Sequence, residues 1–177
     1  QSISINNILN IDAGVHVLLK KLDDGNRVYL NVSYNGALNA SGVSGNPVVF
    51  KSSATDPEKA YWGHIRFEQV YKDSTLTYCE ISHAEIAISI GWNSGDSVTI
   101  NNCTITHNNL GVNSEGSSPT ISSNTIKDNN SPFNITGGAP VISGNSFTEN
   151  ANKIELTSTK ASFTNNTVEN NSATGIY

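Results

Sequence analysis

The feature that most constrains this chain is a short pattern that returns five times between Leu76 and Val168. It reads Leu76-x-x-Cys79-x-Ile81, Ile100-x-x-Cys103-x-Ile105, Ile121-x-x-Asn124-x-Ile126, Ile142-x-x-Asn145-x-Phe147 and Phe163-x-x-Asn166-x-Val168. Equivalent positions lie 24, 21, 21 and 21 residues apart. A fixed period of about twenty residues means one structural unit stacked on copies of itself.

Two further columns keep the same period. One is Ala84, Asn108, Asn129, Asn150 and Asn171. The other is an alternating apolar pair: Ile65 and Phe67, Ile86 and Ile88, Leu110 and Val112, Phe133 and Ile135, Ile154 and Leu156. Alternation with period two signals strands, because successive side chains point to opposite faces. Each repeat therefore holds at least two short strands, separated by Asn, Ser and Gly, which make turns and tolerate left-handed backbone. A helical repeat would need a heptad-like apolar stripe rich in Ala and Glu, and the sequence has none.

Stacked strands place equivalent residues about 4.8 Å apart. The apolar columns then form continuous interior files, with Ile81, Ile105, Ile126, Phe147 and Val168 as one of them. Asparagines at a turn bond through their amides to the next rung, as in the ladders of stacked strands. Cys79 and Cys103 share one column on consecutive rungs. Their Cα separation falls in the range a disulfide tolerates, but parallel in-register neighbours direct their Cβ bonds poorly for one. Stacked reduced thiols are the expectation. Two thiols without a histidine in the column make no metal site.

The segments Asn124-Thr-Ile-Lys-Asp-Asn129 and Asn166-Thr-Val-Glu-Asn-Asn171 resemble the right-handed parallel β-helix repeat family. Gly36-Ala-Leu-Asn-Ala-Ser-Gly42, Asn46-Pro-Val-Val-Phe-Lys-Ser52 and Trp62-Gly-His-Ile-Arg-Phe67 are similar to an N-terminal block of secreted and surface members. That block usually ends Trp-x-Gly-Ile-x-Phe; here Gly63 comes one place early and His64 stands where Gly is usual. The resemblance covers about residues 28–177 and implies an all-β, right-handed parallel β-helix (a β-solenoid) of 21–24 residues per rung. It implies little about function, since the family includes polysaccharide lyases, epimerases and adhesins.

The chain reads as one β-helix domain over 1–177, with irregular N-terminal rungs over 1–72 and regular rungs over 73–177. Residues 1–12 form a first strand or edge cover; Val15, Val17 and Leu19, then Val28, Leu30 and Val32, alternate as strands, and Val48–Phe50 is another. Asp23-Asp24-Gly25-Asn26 and Asn35-Gly36 are turns. The charged segment Thr55–Lys59 is expected to project from the coil, and Gly91–Asp96 lengthens one turn. The fifth repeat stops at Gly175-Ile176-Tyr177 without a cap signal, and the chain starts at Gln1 without a Met. Both suggest a piece of a longer protein, or else end-to-end self-association through the C-terminal rung.

Charged residues make up only 14% of the chain, Met is absent and the net charge is −5. Small polar residues fill the exposed positions, as suits a solenoid outside the cell or on its surface. Ten Lys and Arg residues, with one adjacent pair at Lys20-Lys21, argue against nucleic acid, which is bound through basic clusters. No apolar run reaches the roughly 20 residues that span a bilayer. Asn-x-Ser/Thr triplets occur at Asn31, Asn39, Asn102, Asn129, Asn134, Asn165 and Asn170; a composition this rich in Asn, Ser and Thr supplies them by chance.

The titratable residues gather in one outward column: His83, His107, Asp128, Glu149, then Asn170. Asp128 and Glu149 on consecutive rungs permit the carboxyl separation of about 5–5.5 Å found in retaining glycosidases, though any two acids stacked in a solenoid do so. A lyase of this family would add calcium-binding acids and an Arg or Lys base, and the nearest cation, Lys127, is expected to point elsewhere. Trp62 belongs to the family block and reads as packing; Trp92, in the lengthened turn, is the better contact for a sugar ring. Thr104, Thr106, Thr125, Thr148 and Thr167 hint at an ice-binding array, interrupted by Lys127 and Glu169.

The leading reading is a non-catalytic extracellular or cell-surface module with a structural, adhesive or carbohydrate-binding role. Its partners would be a polysaccharide or another surface protein, with no nucleic acid, membrane span, cofactor or metal. The contact residues would be Trp92, His83, His107, Asp128 and Glu149. The alternative is a polysaccharide lyase or glycoside hydrolase using Asp128 and Glu149, and a third reading is the ice-binding solenoid.

Overall fold

The computed structural model describes residues 2–22, 25–92, 94, 97–173 and 175–176. The Asp23-Asp24 turn, Asn93, Gly95 and Asp96 of the lengthened turn, and Tyr177 lie outside them.

The period-two stretches form short strands, and each turn of the coil visits three of them in a constant order. Sheet 1 stacks β1 (Ser2–Ile5), β4 (Tyr29–Ser33), β7 (Trp62–Glu68), β10 (Ala84–Ile90), β13 (Leu110–Glu115), β16 (Ser131–Thr136) and β19 (Glu155–Thr157). Sheet 2 stacks β2 (Ile8–Asp12), β5 (Ala37–Ser41), β8 (Ser74–Thr77), β11 (Val98–Asn101), β14 (Thr120–Ser122), β17 (Val141–Ser143) and β20 (Ser162–Thr164). Sheet 3 stacks β3 (His16–Leu19), β6 (Val48–Ser52), β9 (Cys79–Ser82), β12 (Thr104–Thr106), β15 (Thr125–Lys127), β18 (Ser146–Thr148) and β21 (Thr167–Glu169). The ladder pairings between neighbouring turns are parallel. The recurring motif thus straddles two sheets: Leu76 belongs to β8 and Ile81 to β9, with a corner between them. The first 72 residues share this register, Ser2 pairing with Tyr29, Ile8 with Ala37 and Val17 with Phe50. Their irregularity lies in the connections.

Parallel pairing lines up the apolar residues inside. In sheet 3 the file runs Val17, Phe50, Ile81, Ile105, Ile126, Phe147 and Val168. In sheet 2 it runs Ile11, Ala40, Leu76, Ile100, Ile121, Ile142 and Phe163. The members from Phe50 to Phe147 and from Ala40 to Ile142 are wholly buried; each large side chain contributes about 1.5–3 kcal/mol. Val168 departs from the expected burial and is 37% exposed, because β21 is the edge strand of its sheet.

Sheet 1 corrects the sequence register. Ile65 and Phe67 pair with Ile88 and Ile90, not with Ile86 and Ile88, because a bulge between Ile86 and Ile88 shifts the strand. The next inward pair is Val112 and Ser114, which lead on to Phe133 and Ile135. Ile86 and Leu110 lie half-buried on the outer face, while the interior accommodates a polar Ser114.

Two corners repeat with left-handed backbone. Between sheets 2 and 3 it falls on Tyr78, Asn102, Ser123, Gly144 and Asn165; between sheets 3 and 1 on His83, His107, Asp128, Glu149 and Asn170. That conformation costs an L-residue about 1–2 kcal/mol. The residue after each corner turns inward and compensates. Asn129 is typical: its Oδ1 accepts from the backbone N–H and the amide of Asn108, both at 3.0 Å. Its Nδ2 donates to the carbonyls of Ile105 and Lys127 and to Asn150 Oδ1 at 3.0–3.1 Å. Asn124, Asn145 and Asn150 repeat the arrangement, completely buried. Cys79 and Cys103 are free, buried thiols in the first of these columns. The Cys103 contact and burial hold the Cys79 thiol far above its usual range.

Candidate functional site

The corner between sheets 3 and 1 gathers the titratable residues as the sequence suggests, and their constant left-handed φ of 52–65° sends the side chains outward in one file. The rings of His83 and His107 stack with centroids 5.6 Å apart and planes 20° from parallel. His107 Nε2 meets Asp128 Oδ2 at 2.9 Å, and Thr106 Oγ1 lies 2.9 Å from its Nδ1. A carboxylate only accepts, so Nε2 carries the proton and a neutral His107 accepts from Thr106 through Nδ1. Burial, then His107 and Lys51, hold the His83 imidazole below its ordinary pKa.

Two cations correct the expectations for this corner. Lys127 does not point away: it extends outward from β15 and reaches Glu149 Oε1 at 3.2 Å. The segment Thr55–Lys59 does not simply project. Its acidic part is exposed, but its end folds back onto the corner, where Tyr61 N donates to His83 O at 2.8 Å and Ala60 N to Ala84 O at 3.2 Å. Lys59 is thereby carried to Asp128 Oδ1 at 3.0 Å and Asn130 Oδ1 at 3.3 Å. Sequence reasoning missed Lys59, since nothing local links residues 69 positions apart.

Both oxygens of Asp128 are therefore engaged, one by Lys59 and the other by His107. Glu149 has its own cation. The two acids predicted as a pair are held as separate ion pairs, a poor arrangement for sharing one scissile bond between a general acid and a nucleophile.

The two tryptophans differ in burial. Trp62 is wholly buried and donates from Nε1 to Ser82 O at 2.8 Å. Trp92 is 65% exposed. Its indole lies against Gly116, where a β-carbon would stand 2.6 Å from Trp92 Cε3. Ser117 Oγ donates to Gly91 O at 2.7 Å and anchors the backbone beside it. Trp92 follows sheet 1, whereas the histidine and acid file precedes it, so the structure does not bring the two groups together. A concavity of about 490 Å³ on the outer face of sheet 1, lined by Asn109, Leu110, Ser131, Asn134, Asn152 and Glu155 among others, contains none of the predicted site residues.

The outer files of sheet 3 read Glu80, Thr104, Thr125, Ser146, Thr167 and Ser82, Thr106, Lys127, Thr148, Glu169. Charges interrupt both. Among the described residues no helix is long and apolar enough to cross a membrane.

No curated protein and no solved structure matches the chain. A family model described as a right-handed beta helix region matches residues 63–177, well over half of the sequence. With the stacked parallel sheets, this places the chain in the right-handed β-helix family.

Proposed function

We propose that the chain is a non-catalytic module of an extracellular or cell-surface protein, a rigid solenoid that contacts saccharides or another surface protein through side chains on its corners. The observation that carries this reading is the state of the two acids. Asp128 is bonded through both oxygens to Lys59 and His107, and Glu149 is tied to Lys127. Their hydrogen-bonding capacity goes into fastening the loop and the rungs rather than into a free pair poised over a substrate. The exposed indole of Trp92, laid over a glycine, is the kind of flat apolar face on which a sugar ring stacks. The scarcity of charge and the small polar exterior support a place outside the cell.

The test has two arms. Incubated with acidic and neutral polysaccharides, the protein is expected to release no new chain ends, while affinity electrophoresis in the same polymers retards it and Trp92→Ala weakens the retardation. Turnover that disappears in an Asp128→Asn, Glu149→Gln double variant would replace this reading with that of a polysaccharide-cleaving enzyme.

A further inference from the structure

Among the described residues, three tyrosine or tryptophan side chains are more than half exposed: Tyr34 at 60%, Tyr71 at 65% and Trp92 at 65%. All three stand on the corner between sheets 1 and 2, in the connections from β4 to β5, β7 to β8 and β10 to β11, on consecutive turns of the coil. The other two corners carry no exposed aromatic of either type. We propose that this aromatic ridge docks a proline-rich, basic segment of a partner protein, laid along the coil axis as a polyproline II helix.

The ridge is fixed by the backbone beneath it. Tyr71 N donates to Tyr34 O at 3.3 Å, and the two rings lie 6.5 Å apart, centroid to centroid, at 50°. Ser94, wholly buried, donates from Oγ to Phe67 O at 3.1 Å and accepts from Val70 N at 3.4 Å. It ties the turn that carries Trp92 to the turn before it. Carried one residue past the strands, the register makes Tyr34, Trp92, Gly116 and Gly137 equivalent positions. Gly116 and Gly137 take left-handed backbone there, at φ of 62° and 69°, without steric cost. Tyr34 takes it too, at φ 47°, with a bulky side chain for which that region is unfavourable. A ring held outward against its backbone preference, with two more exposed beside it, marks a surface kept for contact.

Spacing, polarity and charge select the partner. Tyr34 and Trp92 stand two turns apart, about 9.6 Å along the coil at the spacing of paired strands. A polyproline II helix rises about 9.3 Å in three residues, so every third side chain returns to one face at nearly the same step. Prolines three apart therefore meet successive rings, and aromatic surfaces are the usual dock for such segments. The Tyr34 and Tyr71 hydroxyls and the Trp92 N–H have no partner among the described residues. They can donate to the backbone carbonyls that a polyproline II helix leaves unbonded. The flanks are acidic. Glu68 and Glu115 lie exposed on the sheet 1 side and Asp73 on the sheet 2 side, against Lys72. Glu68 bonds Arg66, but among the described residues Glu115 accepts only from the Asn113 amide and Asp73 has no ion pair. Arginine or lysine beside the prolines would complement these two acids.

The ridge rests on the reading that the corners contact another surface protein, and the experiment separates the two. The full chain is titrated at physiological ionic strength with a decaproline peptide bearing two arginines at each end. The controls are the same peptide with glutamates in their place, and an alanine-glycine peptide of equal length and arginine content. The arginine-proline peptide is expected to bind at least tenfold more tightly than either control, with a shift of the Trp92 Nε1–H resonance. Tyr71→Ala and Trp92→Ala are each expected to weaken it tenfold or more while circular dichroism stays unchanged. Tyr34→Asn is expected to weaken it as well without lowering the denaturation midpoint, because asparagine suits the left-handed corner; a merely structural tyrosine would lower the midpoint and leave binding intact. Equal affinity for the alanine-glycine peptide overturns the proline class, and equal affinity for the glutamate peptide overturns the basic one. No binding of the arginine-proline peptide, with Trp92-dependent retardation in polysaccharide gels, overturns the proposal and leaves the broader reading standing. Absence of both overturns both.

Discussion

At the corner between sheets 2 and 3 the inward column reads Cys79, Cys103, Asn124, Asn145, Asn166; at the corner between sheets 3 and 1 it reads Ala84, Asn108, Asn129, Asn150, Asn171. Both columns face the same problem, since each left-handed corner leaves backbone groups that water cannot reach. Where Asn stands, one side chain answers an N–H on the rung before and carbonyls below. Where Cys stands, the answer is thinner: Cys103 Sγ takes the Cys79 N–H at 3.3 Å and donates weakly to Leu76 O at 3.3 Å. Ala84 has no polar side chain, and only its N–H joins the ladder, to Asn108 Oδ1 at 2.8 Å. At that rung the corner is fastened instead by the buried Trp62, whose Nε1 donates to Ser82 O, and from outside by Tyr61 N on His83 O and Ala60 N on Ala84 O. A column of this kind requires a donor and an acceptor at each rung, and the fold accepts them from inside or outside.

The sharpest way to break this comparison is to take an asparagine out of the middle. Asn129→Ala strips partners from the Asn108 N–H and the Ile105 carbonyl, both in buried bonds, and from the partly buried Lys127 carbonyl. At roughly 1–3 kcal/mol for each group left unpaired, the loss is expected to reach about 3 kcal/mol or more in denaturant unfolding. An Asn129→Ala variant no less stable than Cys103→Ala would mean that the amides add nothing over thiols. The reverse exchange comes next. Cys103→Asn extends the ladder by one rung toward Cys79 and is expected to raise stability by about 1 kcal/mol; a fall would show that the thiol's volume, not its bonding, is what the site requires.

Smaller effects belong to the outside of the corner. Lys59→Ala removes a half-exposed ion pair to Asp128 and is expected to cost less than about 1 kcal/mol, while protease cleavage within residues 53–60 speeds up. Unchanged cleavage would mean that the backbone bonds of Ala60 and Tyr61 alone hold the segment. The smallest effect is in the pH profile. Burial, then His107 and Lys51, hold His83 below its ordinary pKa in the folded chain. As pH falls below about 6.5 the unfolded chain binds that proton first, so stability declines until the folded-state pKa is passed. His83→Asn keeps a residue tolerant of the left-handed corner and is expected to flatten the unfolding curve between pH 7 and 5. Equal slopes in both proteins would assign the decline to other groups.

The interior was legible where one residue type recurs at one step. Ile81, Ile105 and Ile126, or Asn124 and Asn145, announce their columns because equivalent backbone sites pose equivalent demands. Sheet 1 was read two residues out at Ile86 and Leu110, because the bulge at Ala87 is a backbone event that the apolar pattern conceals, and because Ser114 occupies an inward place that a hydropathy reading assigns to the surface. The outward column of His83, His107, Asp128 and Glu149 was visible by the same periodicity. Its partners were not. Lys59 reaches Asp128 from 69 positions upstream, and the ring beside His64 is that of Tyr29, more than thirty residues upstream. Periodic arithmetic finds what stacks and misses what folds back.

The left-handed corners carry one more consequence. His83, His107, Asp128, Glu149 and Asn170 differ in size, charge and chemistry, yet their φ angles agree to within 13° (52° to 65°). The posture belongs to the rung, and the side chain is whatever the gene writes there. The coil works as a rack of identical sockets, each able to be refitted without changing the backbone of its rung, provided the new side chain is not branched at its β-carbon. Such a protein can change what it touches one position at a time while its architecture stays fixed.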